Sequence, residues 1–312
     1  MTLPLACGLV VLGLALLAGG GEALVRGAVA IARLAGVSPA VIGLTIVAIG
    51  TSLPELVVSV LAASHGQSDL AVGNVVGSNI VNLTGILGVA ALVSALPVDR
   101  AAVRLEWPMV VFASALTLWF ASDGQIGSGE AAVMLAAFGL FTWGMVHRAR
   151  RDVSLAAAVP VAPAVGAGAA TLLVIVGIVL LVVGARALVA GAETLARLAG
   201  WSERVIGLTV VAIGTSTPEL ATSLIAARRG RTDVAISNLL GSNIFNLLGI
   251  LGVTGLLHPL PVSVALLSSD MRWMLLTAGL ILPLLATGQR ISRTEGGMLL
   301  IVYLVYLTLL LR

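Results

Sequence analysis

Two short stretches put a glutamate inside strongly apolar sequence: GTSLPE at residues 50–55 and GTSTPE at residues 214–219. Glu55 and Glu219 each fall near the middle of an apolar run, where an ionised carboxylate is costly unless something compensates it. The residues around them can supply that compensation. Thr51 precedes Glu55 by four positions and Ala48 precedes Thr51 by three, so all three share one face of a helix. Ala212, Thr215 and Glu219 repeat the arrangement. Pro54 and Pro218 remove a backbone donor and crowd the preceding turn. Carbonyls around Ala48–Gly50 and Ala212–Gly214 are thereby expected to be freed as oxygen ligands.

The following apolar runs carry GNVVGSNIVN (73–82) and SNLLGSNIFN (237–246). Asn74, Ser78 and Asn82 stand four residues apart, a polar stripe on an otherwise apolar helix, and Asn238, Ser242 and Asn246 repeat it. Asn79 and Asn243 lie off the stripe, where they either cap or bridge helices or join the site. Every candidate donor is a carboxylate, hydroxyl, amide or carbonyl oxygen. That is the donor set of a hard cation, and flexible Ca²⁺ coordination suits it better than Mg²⁺, which keeps its waters. Cys7 is the one cysteine, and His65, His147 and His258 fall at predicted ends or loops, so no transition-metal site is indicated.

These residues need a membrane around them. The chain is 59% hydrophobic and 10% charged over 312 residues, with a mean hydropathy of +1.13. A soluble domain carries about 25% charged residues. Ten spans are predicted, at 3–33, 38–64, 69–95, 103–122, 126–147, 167–199, 203–227, 233–257, 268–287 and 294–312. The first twenty residues resemble a signal-peptide core, but they lack a basic start and run on into Glu22 and Arg26, so a first span is expected. Glu22 and Arg26, spaced i, i+4, can pair. Arg186 and Glu193 are expected to be interfacial or paired charges. Glu106 and Glu130 lie close enough to span ends to be solvated, and Asp270 falls at a span end.

The chain repeats itself. The stretch VIGLTIVAIGTSLPELVVSVLAASHGQSDLAVGNVVGSNIVNLTGILGV from Val41 returns at Val205 as VIGLTVVAIGTSTPELATSLIAARRGRTDVAISNLLGSNIFNLLGILGV, with 32 of 49 positions identical and no gap. Five spans per half is an odd number, so the second half enters the membrane from the opposite side, an inverted repeat of the kind secondary transporters use. The expected organisation is residues 1–149, a linker at 150–166, and residues 167–312. All 17 basic residues are arginine. With the N-terminus outside, Arg33, Arg100, Arg104, Arg148, Arg150, Arg151, Arg228, Arg229, Arg231, Arg290 and Arg293 face inward. Only Arg197, Arg204, Arg272 and Arg312 face outward. Both termini outside and a cytoplasmic linker follow from the positive-inside rule. A pI near 10.0 therefore reports topology, with no nucleic-acid partner implied.

GTSLPE with GSNIVN, and GTSTPE with GSNIFN, resemble the two alpha repeats of the cation/calcium exchanger superfamily, and most of all its prokaryotic sodium/calcium exchanger branch. The resemblance spans nearly the whole chain. It implies an all-α integral membrane protein of ten helices in two inverted repeats, working as a monomer in the plasma membrane without enzymatic activity or cofactor. Its function would be antiport of Ca²⁺ against Na⁺, with H⁺/Ca²⁺ or K⁺-dependent exchange as alternatives. By position it implies Glu55 and Glu219 as central Ca²⁺ ligands shared with Na⁺, and Thr51 and Thr215 as carbonyl and hydroxyl ligands. Ala48, Ala212, Ser78 and Ser242 would serve the outer Na⁺ sites, and Asn82 and Asn246 the middle position. Residues 3–33 and 167–199 would slide across the other eight helices. Some members carry an aspartate at one middle position; Asn at both argues against K⁺ co-transport. A cation channel or an intramembrane hydrolase would also use buried acids, but a channel usually builds its acidic ring by oligomer symmetry, and no substrate cleft is evident for a hydrolase.

Overall fold

The computed structural model describes residues 2–35, 39–98, 102–155, 166–198, 200–201, 203–288 and 290–311. It is almost wholly helical. The first half comprises α1 (Leu3–Ala35), α2 (39–51), α3 (Leu53–Ser64), α4 (Ser68–Val93), α5 (Ala102–Asp123) and α6 (Ser128–Leu155). The second comprises α7 (Ala167–Leu198), α8 (203–215), α9 (Thr217–Arg228), α10 (Thr232–Leu257), α11 (264–288) and α12 (Arg293–Leu310). α6 continues past the predicted span end into the predicted linker, whose residues 156–165 lie outside the described residues.

Seven of these helices are long and apolar enough to cross a bilayer, or nine if each bent pair counts as one span. The bent pairs are α2 with α3, at 47°, and α8 with α9, at 46°. Their cause is local. Pro54 and Pro218 enter at the first turn of α3 and α9, where a proline does least harm, so the chain breaks at Ser52 and Ser216 just before them. α4 and α10 are enclosed on almost every side, whereas α6 and α12 expose Leu140, Trp143, Ile301 and Leu304. With no polar shell over such residues, lipid is their natural solvent.

The halves repeat in backbone detail as well as in sequence. π-helical segments occur at Gly43–Val47, Val81–Ile86 and Ala102–Glu106, and again at Gly207–Val211, Phe245–Ile250 and Leu266–Asp270. The turns after α3 and α9 both rest on a glycine in the left-handed region, Gly66 at φ 75° and Gly230 at φ 71°. Contacts between halves are reciprocal. Of the short strands, β1 (Leu96–Pro97) pairs with β4 (Arg290–Ile291), and β2 (Gln125–Ile126) with β3 (Leu260–Pro261), both antiparallel.

Apolar packing divides into two clusters. The larger runs through α4, α5, α10, α11 and α12. The smaller joins Leu17, Leu24 and Ala28 of α1 to Val174, Leu181 and Leu188 of α7, with Ile42 and Val47 of α2. α1 and α7 pack together along their length. Their contact is backbone to backbone: Gly13 meets Gly184 and Gly20 meets Gly177, while Gly27 faces Ala170 and Gly191 faces Ala6. A Cβ on any of the six would come within 2.5–2.9 Å of the facing helix's backbone.

Candidate cation site

The breaks at Ser52 and Ser216 bring the two glutamates into one buried region. Glu55 and Glu219 are each 0% exposed. The Ser52 hydroxyl donates to Glu219 Oε1 at 2.6 Å, and the Ser216 hydroxyl donates to Glu55 Oε1 at 3.0 Å. Each half thus holds the other's carboxylate. Among the described residues neither glutamate is paired with a basic side chain, and both Oε2 atoms lack a hydrogen-bond partner.

The other predicted residues are as completely buried as this pair. Ala48, Thr51, Ser78, Asn82, Ala212, Thr215, Ser242 and Asn246 are all 0% exposed. Ser242 Oγ donates to Glu219 Oε1 at 3.2 Å and approaches the Ala48 carbonyl at 3.5 Å. Ser78 Oγ approaches the Ala212 carbonyl at the same distance. These approaches depend on glycine. A Cβ at Gly77 would meet the Leu208 carbonyl at 2.8 Å, and one at Gly241 would meet the Leu44 carbonyl at 2.6 Å. α4 and α10 therefore lie directly on the broken helices of the opposite half.

Asn74 and Asn238 form the next layer. Thr215 Oγ1 donates to Asn74 Oδ1 at 3.1 Å, and Asn74 Nδ2 donates to the Glu55 carbonyl at 3.2 Å and Ser59 Oγ at 3.0 Å. Asn238 mirrors it through Thr51 at 3.4 Å and Ser223 at 3.2 Å. Asn79 and Asn243 turn back on their own helices, donating to the Val75 and Leu239 carbonyls at 2.8 Å. Asn82 and Asn246 stand in the π-helical segments one turn beyond the serines, and neither of their amide atoms has a partner. π-bulges of this kind recur at functional sites.

Ser52 and Ser216 were missed by the sequence reasoning, although both sit inside the quoted motifs. The signal available was a hydroxyl residue directly before Leu-Pro or Thr-Pro, at the point where the helix must break.

Two expectations need correction. Glu106 is not solvated: it is 2% exposed and accepts from Ser237 Oγ at 3.1 and 3.3 Å. Asp270 is 0% exposed and accepts from the Tyr306 hydroxyl at 3.2 Å. Both end a π-helical segment, which rotates the side chain inward where a regular helix start would have left it near the surface. The expected Glu22–Arg26 pair is present, and Arg229 joins it from the turn after α9. Arg186 is exposed, and the side chain of Glu193 lies outside the described residues. Among the described residues no group of three His, Cys, Asp or Glu could hold a metal ion.

A membrane protein whose repeated, broken helices enclose two carboxylates among hydroxyl, amide and carbonyl oxygens belongs to the class of ion transporters. Comparison with known proteins identifies which. The sodium/calcium exchanger protein family matches residues 5–146 and 169–312, so the chain belongs to that family, a family of transporters and not of enzymes. A candidate antiporter, CaxA, of Alkalimonas amylolytica is 39% identical, covering 96% of this chain and 97% of its own. The sodium/calcium exchanger MaX1 of Methanosarcina acetivorans is 32% identical, covering 97% of each chain. Among solved structures, the sodium–calcium exchanger NCX_Mj soaked with Na⁺ and Sr²⁺ superimposes with a TM-score of 0.83 at 32% identity, over 98% of this chain and 99% of that one.

Proposed function

We propose that Glu55 and Glu219 form one cation site at which Ca²⁺ and Na⁺ compete, and that the protein exchanges them by alternating access. One observation carries this reading: two buried carboxylates, linked crosswise by Ser52 and Ser216, lack basic partners and each keep one oxygen unengaged. Structural buried carboxylates are normally paired or fully hydrogen-bonded. A divalent cation, or several monovalent ones, supplies the missing charge, and only a neutralised site can face a low-dielectric barrier. Thr51, Thr215, Ser78, Ser242 and the carbonyls of Ala48 and Ala212 complete the oxygen set, with Asn82 and Asn246 at its centre. Asn at both middle positions disfavours K⁺ as a third cargo.

In this reading the chain has ten spans in two inverted halves, 1–149 and 167–312, joined by a cytoplasmic linker at 150–166. Both termini lie outside, on the arginine distribution given above. The protein acts as a monomer in the plasma membrane, since one chain carries both acids. α1 and α7 are the moving elements. Their close glycine contacts bind them into a pair, and their apolar cluster, which takes in only Ile42 and Val47 of α2 besides, is distinct from the larger one. The test is uptake of radiolabelled Ca²⁺ into Na⁺-loaded proteoliposomes, with Na⁺, K⁺ and H⁺ gradients imposed one at a time. Uptake should follow the Na⁺ gradient and vanish in Glu55→Gln. Undiminished flux in that variant would refute the site, and conductance without a counter-ion would make the protein a channel.

A further inference from the structure

A second feature of the molecule is lined by none of the residues of the cation site. α5 and α6 both pack on α10 and leave between them a groove of about 400 Å³. Its apolar wall includes Pro108, Phe112, Leu140 and Gly144, and Arg104 and Arg148 also line it. Phe112 is 51% and Leu140 69% exposed, so the groove faces the bilayer. Both arginines are exposed, and among the described residues neither has an acidic partner. The acid nearest Arg104 in sequence, Glu106, is turned inward to Ser237.

The two arginines lie at one end of the groove. Arg104 is near the start of α5 and Arg148 in the later part of α6, and the short connection between these helices makes them antiparallel. Phe112 and Leu140 each stand eight residues deeper, about 12 Å at 1.5 Å per residue. Trp143, 67% exposed and stacked on His147 at 5.4 Å, flanks the arginine end, as aromatic residues do at headgroup level. Two exposed guanidiniums over an apolar trough match a phosphate carrying an acyl chain, because guanidinium binds phosphate oxygens bidentately. A peptide would leave the trough's bilayer-facing side uncovered, whereas a lipid is already there.

We propose that this groove binds one anionic phospholipid, its phosphate between Arg104 and Arg148 and an acyl chain along Pro108, Phe112 and Leu140. The two guanidiniums that line the groove's end select an anionic headgroup over a zwitterionic one. The orientation proposed above puts the lipid in the cytoplasmic leaflet; that leaflet rests on the proposed orientation, whereas the groove itself does not.

The experiment is native mass spectrometry of the full chain in detergent, with phosphatidylglycerol and phosphatidylcholine of matched chains added in equal amounts. The wild-type protein should retain one phosphatidylglycerol preferentially. An arginine at a membrane surface contributes a factor of about five, so R104Q/R148Q should lower the relative affinity roughly 25-fold. R104K/R148K should keep most of the preference, and Arg272→Gln, on α11, should keep all of it. An unchanged preference in R104Q/R148Q would overturn the proposal. Displacement of the lipid by inorganic phosphate alone would overturn it too, by making this a plain anion site. Ca²⁺ flux is read separately, so failure here is distinct from failure of the exchanger reading.

Discussion

Replacing Gly241 by alanine tests whether close helix approach sets the geometry of the cation site. A Cβ at this position lies 2.6 Å from the Leu44 carbonyl oxygen, 2.8 Å from Ala48 Cβ and 3.0 Å from Leu44 Cα. Carbon atoms in contact sit about 3.5–4.0 Å apart, so α10 and α2 must separate by roughly 0.7 Å or more. No side-chain rotation relieves this, because the opposing atoms are backbone and a methyl group. Ser242 Oγ and the Ala48 carbonyl, 3.5 Å apart, face each other across the same gap. Ca²⁺–oxygen distances span only about 2.3–2.6 Å, so a shift of that size removes ligands from a bound ion. Overpacking costs about 1–3 kcal/mol. If about 1.4 kcal/mol of that falls on the loaded site, the KM for Ca²⁺ rises tenfold. The assay is Ca²⁺-dependent uptake into Na⁺-loaded proteoliposomes. Gly77→Ala should behave alike, since its Cβ would meet Ala212 Cβ and the Leu208 carbonyl at 2.8 Å. Gly279→Ala, with nothing within 4 Å, is the control. A wild-type KM in both Gly77→Ala and Gly241→Ala would refute the argument.

Asn74→Leu removes one acceptor of the Thr215 hydroxyl and the amide that donates to Ser59 and the Glu55 carbonyl, and an unsatisfied buried group costs about 1–3 kcal/mol. The Ca²⁺ KM should rise about tenfold and the thermal midpoint should fall; an unchanged KM would show that Asn74 does not orient the site. Gly20→Leu puts carbon 2.9 Å from the Gly177 carbonyl and the Leu181 amide, so turnover should collapse as α1 and α7 are forced apart, measured by the same flux. Breaking the Glu22–Arg229 tie with Arg229→Gln should change exchange rates by less than about fivefold, because both side chains are partly exposed and such pairs contribute about 0.2–1 kcal/mol. A larger change would mean that this tie controls the movement of α1.

Eight of the ten proposed ligand positions are polar, and they stand out in sequence because polar residues are rare in these apolar runs and recur at fixed spacing. A carboxylate in apolar sequence cannot hide, and its second copy 164 residues later removes the accident. The crosswise hydrogen bonds were not legible. They depend on which half's break faces which, a tertiary relation that sequence spacing does not encode. The inward turn of Glu106 and Asp270 was missed for a local reason. A π-helical segment shifts side-chain direction by a fraction of a turn, and nothing in AVRLE or LLSSD announces it. Two of the ten predicted runs, 38–64 and 203–227, are bent pairs and not uniform helices, because Pro54 and Pro218 divide them.

Where the two halves agree and where they part is itself informative. An alternating mechanism built from inverted repeats asks each half to take the other's conformation in turn, so residues at the shared site must suit both roles. Ala48, Thr51, Ser52, Glu55, Asn74, Ser78 and Asn82 all have an identical residue in the second half. One layer out the match fails. Ser237, which binds Glu106, has Gly73 as its counterpart, and Asp270 turns instead to Tyr306 on α12. Glu22, tied to Arg229, corresponds to Arg186, and Arg229 corresponds to His65. If the halves exchange conformations, the attraction between α1 and the turn after α9 has no equivalent between α7 and the turn after α3. On that mechanism the centre would offer the same side chains to both sides, while its surroundings would give the two end states unequal energies. Removing that inequality, as Arg229→Gln does, should shift the balance between the states without changing the oxygens that hold the ion.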